Sequence, residues 1–241
     1  MPFSVVIPTA RPDLLPRALH SVADQTVLPG EVLVLHDGGP PLELEAWPFP
    51  VRSYGIMPRV GPALARNMLA AAAREERLAF LDDDDEWLPE HLSRLGTGSA
   101  DGLSFTDAYL HHEGEGWTRT FAFRFTPPLL RRTNPIILST VGLSRSAFWR
   151  VGGFDPSFAR YEAWDLFLRL QEAGVPLRRI AGPDVRYHYS RRSLTADDAA
   201  MSESFRAFCA RHGLNLERKS FATMLDDPEL SHVREEDDPL S

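Results

Sequence analysis

The sequence predicts an α/β fold with a mostly parallel central sheet flanked by helices. Over residues 1–90, short segments rich in β-branched residues alternate with segments whose apolar residues recur at helical spacing. Such alternation is typical of strand–helix–strand units joined by right-handed crossovers. The predicted strands end in proline, glycine or aspartate, so their ligand-prone loops are expected to meet at one edge of the sheet.

The first half of the chain contains four predicted strands and two predicted helices. The strands are predicted at 3–7, 31–36, 51–54 and 78–81. Each is a short apolar run bounded by turn-forming residues. A helix at 15–25 has apolar residues at helical spacing, and a second at 63–76 is rich in alanine and begins after Gly61-Pro62.

The second half predicts a smaller and more mixed sheet. Two strands should form a hairpin around the turn-rich residues 111–116, and an amphipathic helix should end at Gly174. The predicted strands are 102–110, 117–125 and 185–189, and the predicted helices are 146–151, 161–172 and 196–212.

Composition and charge describe an ordinary globular body with an acidic tail. The 241 residues are 43% hydrophobic and 25% charged, and the net charge is −8. Residues 226–241 carry seven acids and one arginine, a net −6, which leaves −2 for residues 1–225. No basic stripe indicates a nucleic-acid partner. We expect one domain at 1–225 and a disordered or loosely attached tail at 226–241, which has little to bury.

Cysteine content and hydropathy bear on disulfides, zinc binding and cellular location. The single cysteine, Cys209, excludes an internal disulfide and a cysteine-based zinc site. The start of the chain lacks the charged and apolar regions of a signal peptide, and no apolar run is long enough to span a membrane. We expect a cytoplasmic protein, with peripheral association at the inner face of the membrane left open.

Four consecutive aspartates, Asp82 to Asp85, directly follow the predicted strand at 78–81. In an open parallel sheet this position lies in the crevice where ligands bind. Carboxylate oxygens suit Mg²⁺, which takes few protein ligands and often shares substrate phosphates. The run therefore predicts a metal–phosphate site; the alternative is a solvated acidic turn.

Several short motifs occur in a specific order and spacing over roughly residues 3–190. These are Ser4–Thr9, Gln25-Thr26, His36–Gly39, Gly61–Asn67, Asp82–Asp85, Gly152–Asp155 and Glu162–Leu166. With these motifs the sequence resembles the inverting family 2 glycosyltransferases of the GT-A (Rossmann-like) fold.

This resemblance implies transfer of a sugar from a nucleoside-diphosphate donor, with a UDP-sugar favoured, to a carbohydrate or lipid-linked acceptor, as in polysaccharide biosynthesis. It also implies a divalent cation, Mn²⁺ or Mg²⁺, at a DXD-type motif. The donor half would be about 1–110 and the acceptor half 111–225. The implied metal ligands are Asp84 and His188. The implied donor-binding residues are Pro8, Thr9, Arg11, Asp37, Arg66, Asn67, Asp82 and Asp83.

Several of these residues have a structural alternative. Asp37 would accept hydrogen bonds from a uracil-type base, or it would simply form a turn. His36 replaces the first acid of the pair that the family commonly has there, so the nucleotide stays open. Arg66 would pair with phosphate, orient the acidic loop or form an ordinary salt bridge. His188 would bind the metal or a phosphate, or pack structurally.

The general base is the main anomaly in the motif pattern. The family usually places an aspartate where this chain has Ala163, so Glu162 or Asp165 would take the proton from the acceptor hydroxyl. The two acids are three residues apart and share a helix face, with Glu162 slightly favoured. Each could instead be a carboxylate stabilised by the helix dipole.

Ala163 keeps open a nucleotide-sugar-binding protein with impaired catalysis. A sugar-phosphate nucleotidyltransferase fits less well, because Pro8–Pro12 is not a glycine-rich basic loop.

Overall fold

The computed structural model describes residues 1–158, 160–189 and 198–235. Its first half is a strand–helix alternation close to the one predicted. The strands are β1 (Phe3–Thr9), β2 (Glu31–Asp37), β3 (Val51–Ile56) and β4 (Arg77–Phe80), and the helices are α1 (Leu15–Ala23) and α2 (Pro62–Ala72).

The second half contains five further strands and six further helices among the described residues. In chain order these are β5 (Glu86–Trp87), α3 (His91–Gly96), β6 (Leu103–His112), β7 (Trp117–Phe121), α4 (Pro127–Leu130), β8 (Val141–Ser144), α5 (Arg145–Arg150), α6 (Glu162–Glu172), β9 (Leu177–Tyr189), α7 (Asp198–His212) and α8 (Phe221–Leu225).

All described strands belong to one sheet of order β3-β2-β1-β4-β8-β6-β9-β5, with β7 paired to β6. The first four strands are parallel to one another, whereas β8 is antiparallel to both β4 and β6. The mixed half is therefore continuous with the parallel half through β8. The predicted α/β class with a mostly parallel, helix-flanked first half and a mixed second half is confirmed.

Burial on both faces explains why the sequences of the parallel strands are continuous apolar runs. Every residue of β1 and β4 is buried, because helices cover both faces of this part of the sheet. On one face Phe80 of β4 packs edge-on against Phe154 and tilts against Phe148. On the other face Ile7 and Leu19 belong to a second apolar cluster with Trp87. The two clusters fix the sheet between its helices.

Two elements differ from their predictions for non-local reasons. Strand β9 begins at Leu177 rather than near 185, because residues 177–180 already pair with residues 103–106 of β6. The register of this pairing then shifts between Thr106 and Ala108. Arg179 of β9 binds Asp107 of β6 at 2.7 Å across this irregularity. The short strand β5, for which no strand was predicted, forms because Glu86 and Trp87 pair with β9.

The acidic tail also differs from its prediction over residues 226–235. Leu230 and Val233 are buried, and Phe123 forms an isolated antiparallel bridge with Arg234. Its acids are neutralised by the body: Asp226 binds Arg119 at 2.7 Å and Glu235 binds Arg179 at 2.7 Å. These arginines are distant in sequence, so composition alone could not reveal the docking. Residues 236–241 lie outside the described residues.

We predict that a chain ending at Leu225 is less stable than the full chain by about 3 kcal/mol or more. The truncation removes the buried Leu230 and Val233, and burying such a side chain is worth about 1.5–3 kcal/mol. Urea unfolding checks this. The control is Glu229→Ala, at a side chain that is 72% exposed, which should leave the free energy of unfolding unchanged within about 0.5 kcal/mol. A truncated chain as stable as the full one would contradict the docking.

Candidate active site

The candidate site lies where the parallel strands end. Thr9 closes β1, Asp37 closes β2, and the aspartate run follows β4. Since β1 pairs in parallel with both β2 and β4, their carboxyl ends share one edge of the sheet. This is the crevice in which open α/β sheets bind ligands.

Asp83 and Asp84 are held by residues that follow β1. The Thr9 hydroxyl donates to Asp83 at 2.6 Å, and Arg11 donates to Asp83 at 3.2 Å and to Asp84 at 2.5 Å. Burial raises the pKa of Asp83, although the hydrogen bond from Thr9 opposes this shift. The structure thus brings Thr9, Arg11 and the second and third aspartates together.

Arg66 joins the aspartate loop to the start of α6. Its guanidinium donates to Asp82 at 2.5 Å and to Glu162 at 3.0 Å. The arginine is buried and also lies over the ring of Phe154, with the guanidinium carbon 5.6 Å from the ring centroid. Burial by itself would lower the pKa of Arg66, but the two carboxylates outweigh it and raise that pKa.

Asp85 anchors the loop from beneath. Its fully buried carboxylate accepts from the Ser139 hydroxyl at 2.5 Å and from the backbone N–H of His188 at 3.1 Å. Burial raises the pKa of Asp85 well above its ordinary value, and the charges of Asp84 and Asp82 raise it further. Asp85 is therefore a structural support beneath the loop.

His188 is occupied by carboxylates other than those of the loop. Its Nε2 lies 2.6 Å from Glu86 and its Nδ1 lies 3.1 Å from Glu113. Burial and the positive charge of Arg17 lower the pKa of His188, whereas the two glutamates act in the opposite direction. Both ring nitrogens are engaged, and the structure does not pair this histidine with Asp84.

Three predicted donor-binding residues make contacts within the protein. Both carboxylate oxygens of Asp37 accept backbone N–H groups, from Val60 at 2.7 Å and Gly61 at 2.9 Å, at the start of α2. The Asn67 amide donates to the Phe154 carbonyl at 2.8 Å and accepts from its N–H at 2.9 Å. Pro8 is buried within β1, opposite Leu35 of β2. The contacts of Asp37 match its structural alternative, a turn-forming aspartate, and donor binding by these three residues stays a prediction.

The two candidate bases occupy different environments. Glu162 lies at the first turn of α6 against Arg66, whereas Asp165 is fully buried. Asp165 accepts from Arg169 of the same helix at 2.6 Å and lies 2.9 Å from Nε2 of His212 on α7. A carboxylate enclosed in this way cannot contact an acceptor without unfolding its surroundings. The structure therefore separates the pair that helical spacing placed together.

The backbone is strained immediately before Glu162. Tyr161 adopts the left-handed conformation with φ of 65°, and it is the non-glycine residue with positive φ among the described residues. A bulky side chain in that region costs on the order of 1–3 kcal/mol and is common at functional sites. Its ring packs 5.2 Å from Phe205 and 5.8 Å from Phe208 of α7. Packing therefore fixes the point from which Glu162 projects.

Comparison with known proteins gives the family. Residues 4–120 match the family model described as "Glycosyl transferase family 2". The match assigns residues 4–120 to a family 2 glycosyltransferase domain. It is 26% identical over 246 residues to an uncharacterized glycosyltransferase, YwdF, of Bacillus subtilis, with 95% of this chain and 91% of that protein covered. An uncharacterized glycosyltransferase of Haemophilus influenzae is 24% identical over 209 residues, covering 80% and 71%.

Solved structures share the fold of this glycosyltransferase. Staphylococcus aureus TarS matches with a TM-score of 0.61 at 16% identity over 88% of this chain, which spans only 39% of the TarS chain. TarS 1–349 in complex with UDP-GlcNAc has a TM-score of 0.65 at 14% identity, covering 87% and 66%. The mannosyltransferase PcManGT of Pyrobaculum calidifontis, in complex with GDP-Man and Mn²⁺, has a TM-score of 0.59 at 16% identity, covering 88% and 66%. The GT-A fold expected from the sequence is confirmed.

The family match also decides against the sugar-phosphate nucleotidyltransferase alternative, because the family model describes glycosyl transfer. Among the described residues, no helix is long and apolar enough to cross a membrane.

The outer aspartates of the glycosyltransferase fit a hard divalent cation. The side chains of Asp82 and Asp84 are 29% and 22% exposed, whereas Asp83 and Asp85 are buried. Mg²⁺ commonly takes one or two carboxylates and completes its shell with water and substrate phosphates. Within the described parts of the chain, no three histidine, cysteine or acidic side chains converge as a metal site. A cation at Asp82 and Asp84 would therefore need water or phosphate oxygens to complete its shell.

Two residues of this site were missed at the level of sequence. The Ser139 hydroxyl donates to the Asp85 carboxylate and accepts from the backbone N–H of Asp82, and Arg17 donates to the Asp84 carbonyl. Ser139 lies in an apolar stretch after the hairpin, and Arg17 lies within α1. Neither has a local signal, because both reach the loop only through the tertiary fold.

We predict that Asp165→Ala lowers the free energy of unfolding by about 3–5 kcal/mol, the range for breaking a buried ion pair. The substitution leaves Arg169 and His212 without their shared carboxylate. Urea denaturation measures the loss. Glu172→Ala, at an exposed ion pair of the same helix, is the control and should cost less than about 1 kcal/mol. Equal stability of the two variants would show that Asp165 has no structural role.

Proposed function

We propose that this protein transfers a sugar from a nucleoside-diphosphate sugar to an acceptor hydroxyl with inversion, by direct displacement. The family supports glycosyl transfer. The proposal of direct displacement depends on the contact of Arg66 with both Asp82 and Glu162. Through this contact the aspartate loop and the candidate base lie on either side of the Arg66 side chain. A displacement needs those two groups on opposite sides of one reacting carbon.

The donor would lie along the carboxyl edge of the parallel strands. Thr9 and Arg11 hold the aspartate loop from the β1 side, and Arg66 holds it from the α2 side. Guanidinium groups bind phosphate through paired hydrogen bonds, so Arg11 and Arg66 suit a diphosphate. Asp84, with Asp82, would bind the cation; when bound, Mn²⁺ or Mg²⁺ supplies positive charge that stabilises the departing diphosphate. Residues 1–110 would thus form the donor half.

Glu162 is the base in this proposal. The acceptor oxygen forms a bond to the anomeric carbon as the bond from that carbon to the diphosphate oxygen breaks, and the diphosphate leaves with the electron pair. The acceptor proton passes to the Glu162 carboxylate. The enclosure of Asp165 between Arg169 and His212 favours Glu162 over it in this role. The acceptor, a carbohydrate or lipid-linked sugar, would bind within residues 111–225.

A second candidate function is nucleotide-sugar binding with impaired catalysis. It is favoured by Ala163 and by the salt bridge of Glu162 with Arg66 at 3.0 Å, which occupies the remaining acid. Turnover distinguishes the two functions: donor binding without transfer or slow donor hydrolysis would support the second.

We predict that a nucleoside-diphosphate sugar stabilises the protein in the presence of Mn²⁺. At about 100 times Kd a ligand adds about 2.7 kcal/mol to the free energy of unfolding, which raises Tm by several degrees. Thermal shift with UDP- and GDP-sugars, with and without Mn²⁺ or Mg²⁺, measures this. Asp84→Ala should abolish the metal-dependent part. The control is Asp101→Ala, an exposed aspartate before β6 that removes the same charge. No shift with any nucleotide sugar would reject the function.

We also predict that Glu162→Gln lowers kcat for transfer or donor hydrolysis by about 10²–10⁴, the usual contribution of a general base. The donor-dependent thermal shift should persist, because Glu162 does not bind the donor in this scheme. Glu172→Gln on the same helix is the matched control and should keep wild-type kcat. Wild-type kcat in Glu162→Gln would exclude it as the base, and a product that retains the anomeric configuration would contradict direct displacement.

A further inference from the structure

The carboxylates that would receive a cation are already paired with arginines of the same chain. Asp84 binds Arg11 at 2.5 Å, and Asp82 binds Arg66 at 2.5 Å. Asp83 is shared between Thr9 and Arg11, and Asp85 is buried beneath the loop. A free divalent cation would have to displace an arginine to reach either exposed aspartate. The loop is therefore closed by its own counter-ions.

The two arginines differ in how they are held. Arg11 follows β1 and its side chain is 38% exposed, so it can swing away from the loop without disturbing the core. Arg66 is only 6% exposed and holds Glu162 with its other nitrogen. Its Nε–H is buried and has no partner in the described part of the chain. A reoriented guanidinium would therefore gain a hydrogen bond that the present arrangement leaves unmade.

The chemistry of the guanidinium group explains what could move it. A planar fork of N–H donors binds carboxylate and phosphate with the same paired geometry. A diphosphate carries more negative charge than one carboxylate, and it would arrive with a cation that competes for the same aspartates. Exchange of carboxylate for phosphate at the arginine thus frees the aspartate for the cation, and neither charge is left without a partner.

We propose that Arg11 and Arg66 are resident counter-ions that close the aspartate loop to a free divalent cation until the diphosphate of the donor draws them away. Because Arg66 also holds Glu162, the same movement releases the base once the donor is bound. The inference rests on the proposed function and deepens it: the cation and the nucleotide bind cooperatively, and the acceptor-side carboxylate becomes available last.

The test measures Mn²⁺ binding by electron paramagnetic resonance, without nucleotide and with saturating UDP or GDP. In the wild-type protein, Mn²⁺ alone should bind weakly, and the nucleotide should tighten it by about 10-fold or more, within the range of 5–150-fold that is usual for coupled sites. Arg11→Ala and Arg66→Met should each tighten the binding of Mn²⁺ alone several-fold and reduce the coupling factor. A circular dichroism spectrum of each variant checks that it is folded; Arg11→Ala, at the more exposed site, keeps the test available if Arg66→Met does not fold.

Arg59→Ala provides the matched control. Arg59 donates to the Ala10 carbonyl at 3.1 Å, beside Arg11, and it forms no ion pair with a carboxylate of the described residues. Its removal changes the net charge equally and should leave Mn²⁺ affinity and coupling unchanged.

Tight binding of Mn²⁺ alone to the wild-type protein, or an unchanged coupling factor in Arg11→Ala and folded Arg66→Met, would overturn the counter-ion proposal while the nucleotide still bound. Equal tightening in Arg59→Ala would also overturn it, because net charge would then be the cause. Failure of every nucleotide to bind would reject the proposed function, and the release step with it.

Discussion

The buried guanidinium of Arg66 joins three parts of the protein that the proposed sugar transfer needs close together. It extends from α2, contacts Asp82 after β4 and Glu162 at the start of α6, and lies over Phe154. A buried cation is tolerated only when anions neutralise it, so the two carboxylates and the arginine constrain one another's positions. The neighbouring Asn67 fastens the same helix to the Phe154 backbone. The donor-side loop and the acceptor-side helix are thereby held at one distance.

The roles of the four aspartates depend on how deeply each one is buried. Four adjacent carboxylates cannot all be ionised at the surface without counter-charges. Asp85 is buried and bound by Ser139 and the His188 N–H, Asp83 is bound by Thr9, and the outer two are paired with arginines. The inner aspartates hold the loop in place. The outer aspartates keep exchangeable partners, as a site that must accept a charged ligand requires.

Local sequence patterns predicted the elements whose structure depends on neighbouring residues. Apolar runs gave the parallel strands, and helical spacing gave α1, α2 and α6, with differences of a few residues at their ends. Local patterns failed where partners came from far along the chain. The start of β9 depends on Arg179 meeting Asp107, and the docking of 226–235 depends on Arg119 and Arg179. Composition predicted a disordered or loosely attached segment, because it carries no information about the arginines that neutralise two of its acids.

By itself the sequence determined the α/β class, the family and the position of the aspartate loop at the carboxyl edge of the sheet, because these follow from local patterning and from the spacing of motifs. Only the tertiary structure decided what the individual acids do. Glu162 and Asp165 are three residues apart on one helix, yet one faces Arg66 and the other is enclosed by Arg169 and His212. The partners that separate them come from α2 and α7, and helical spacing carries no information about which distant cation each carboxylate will meet.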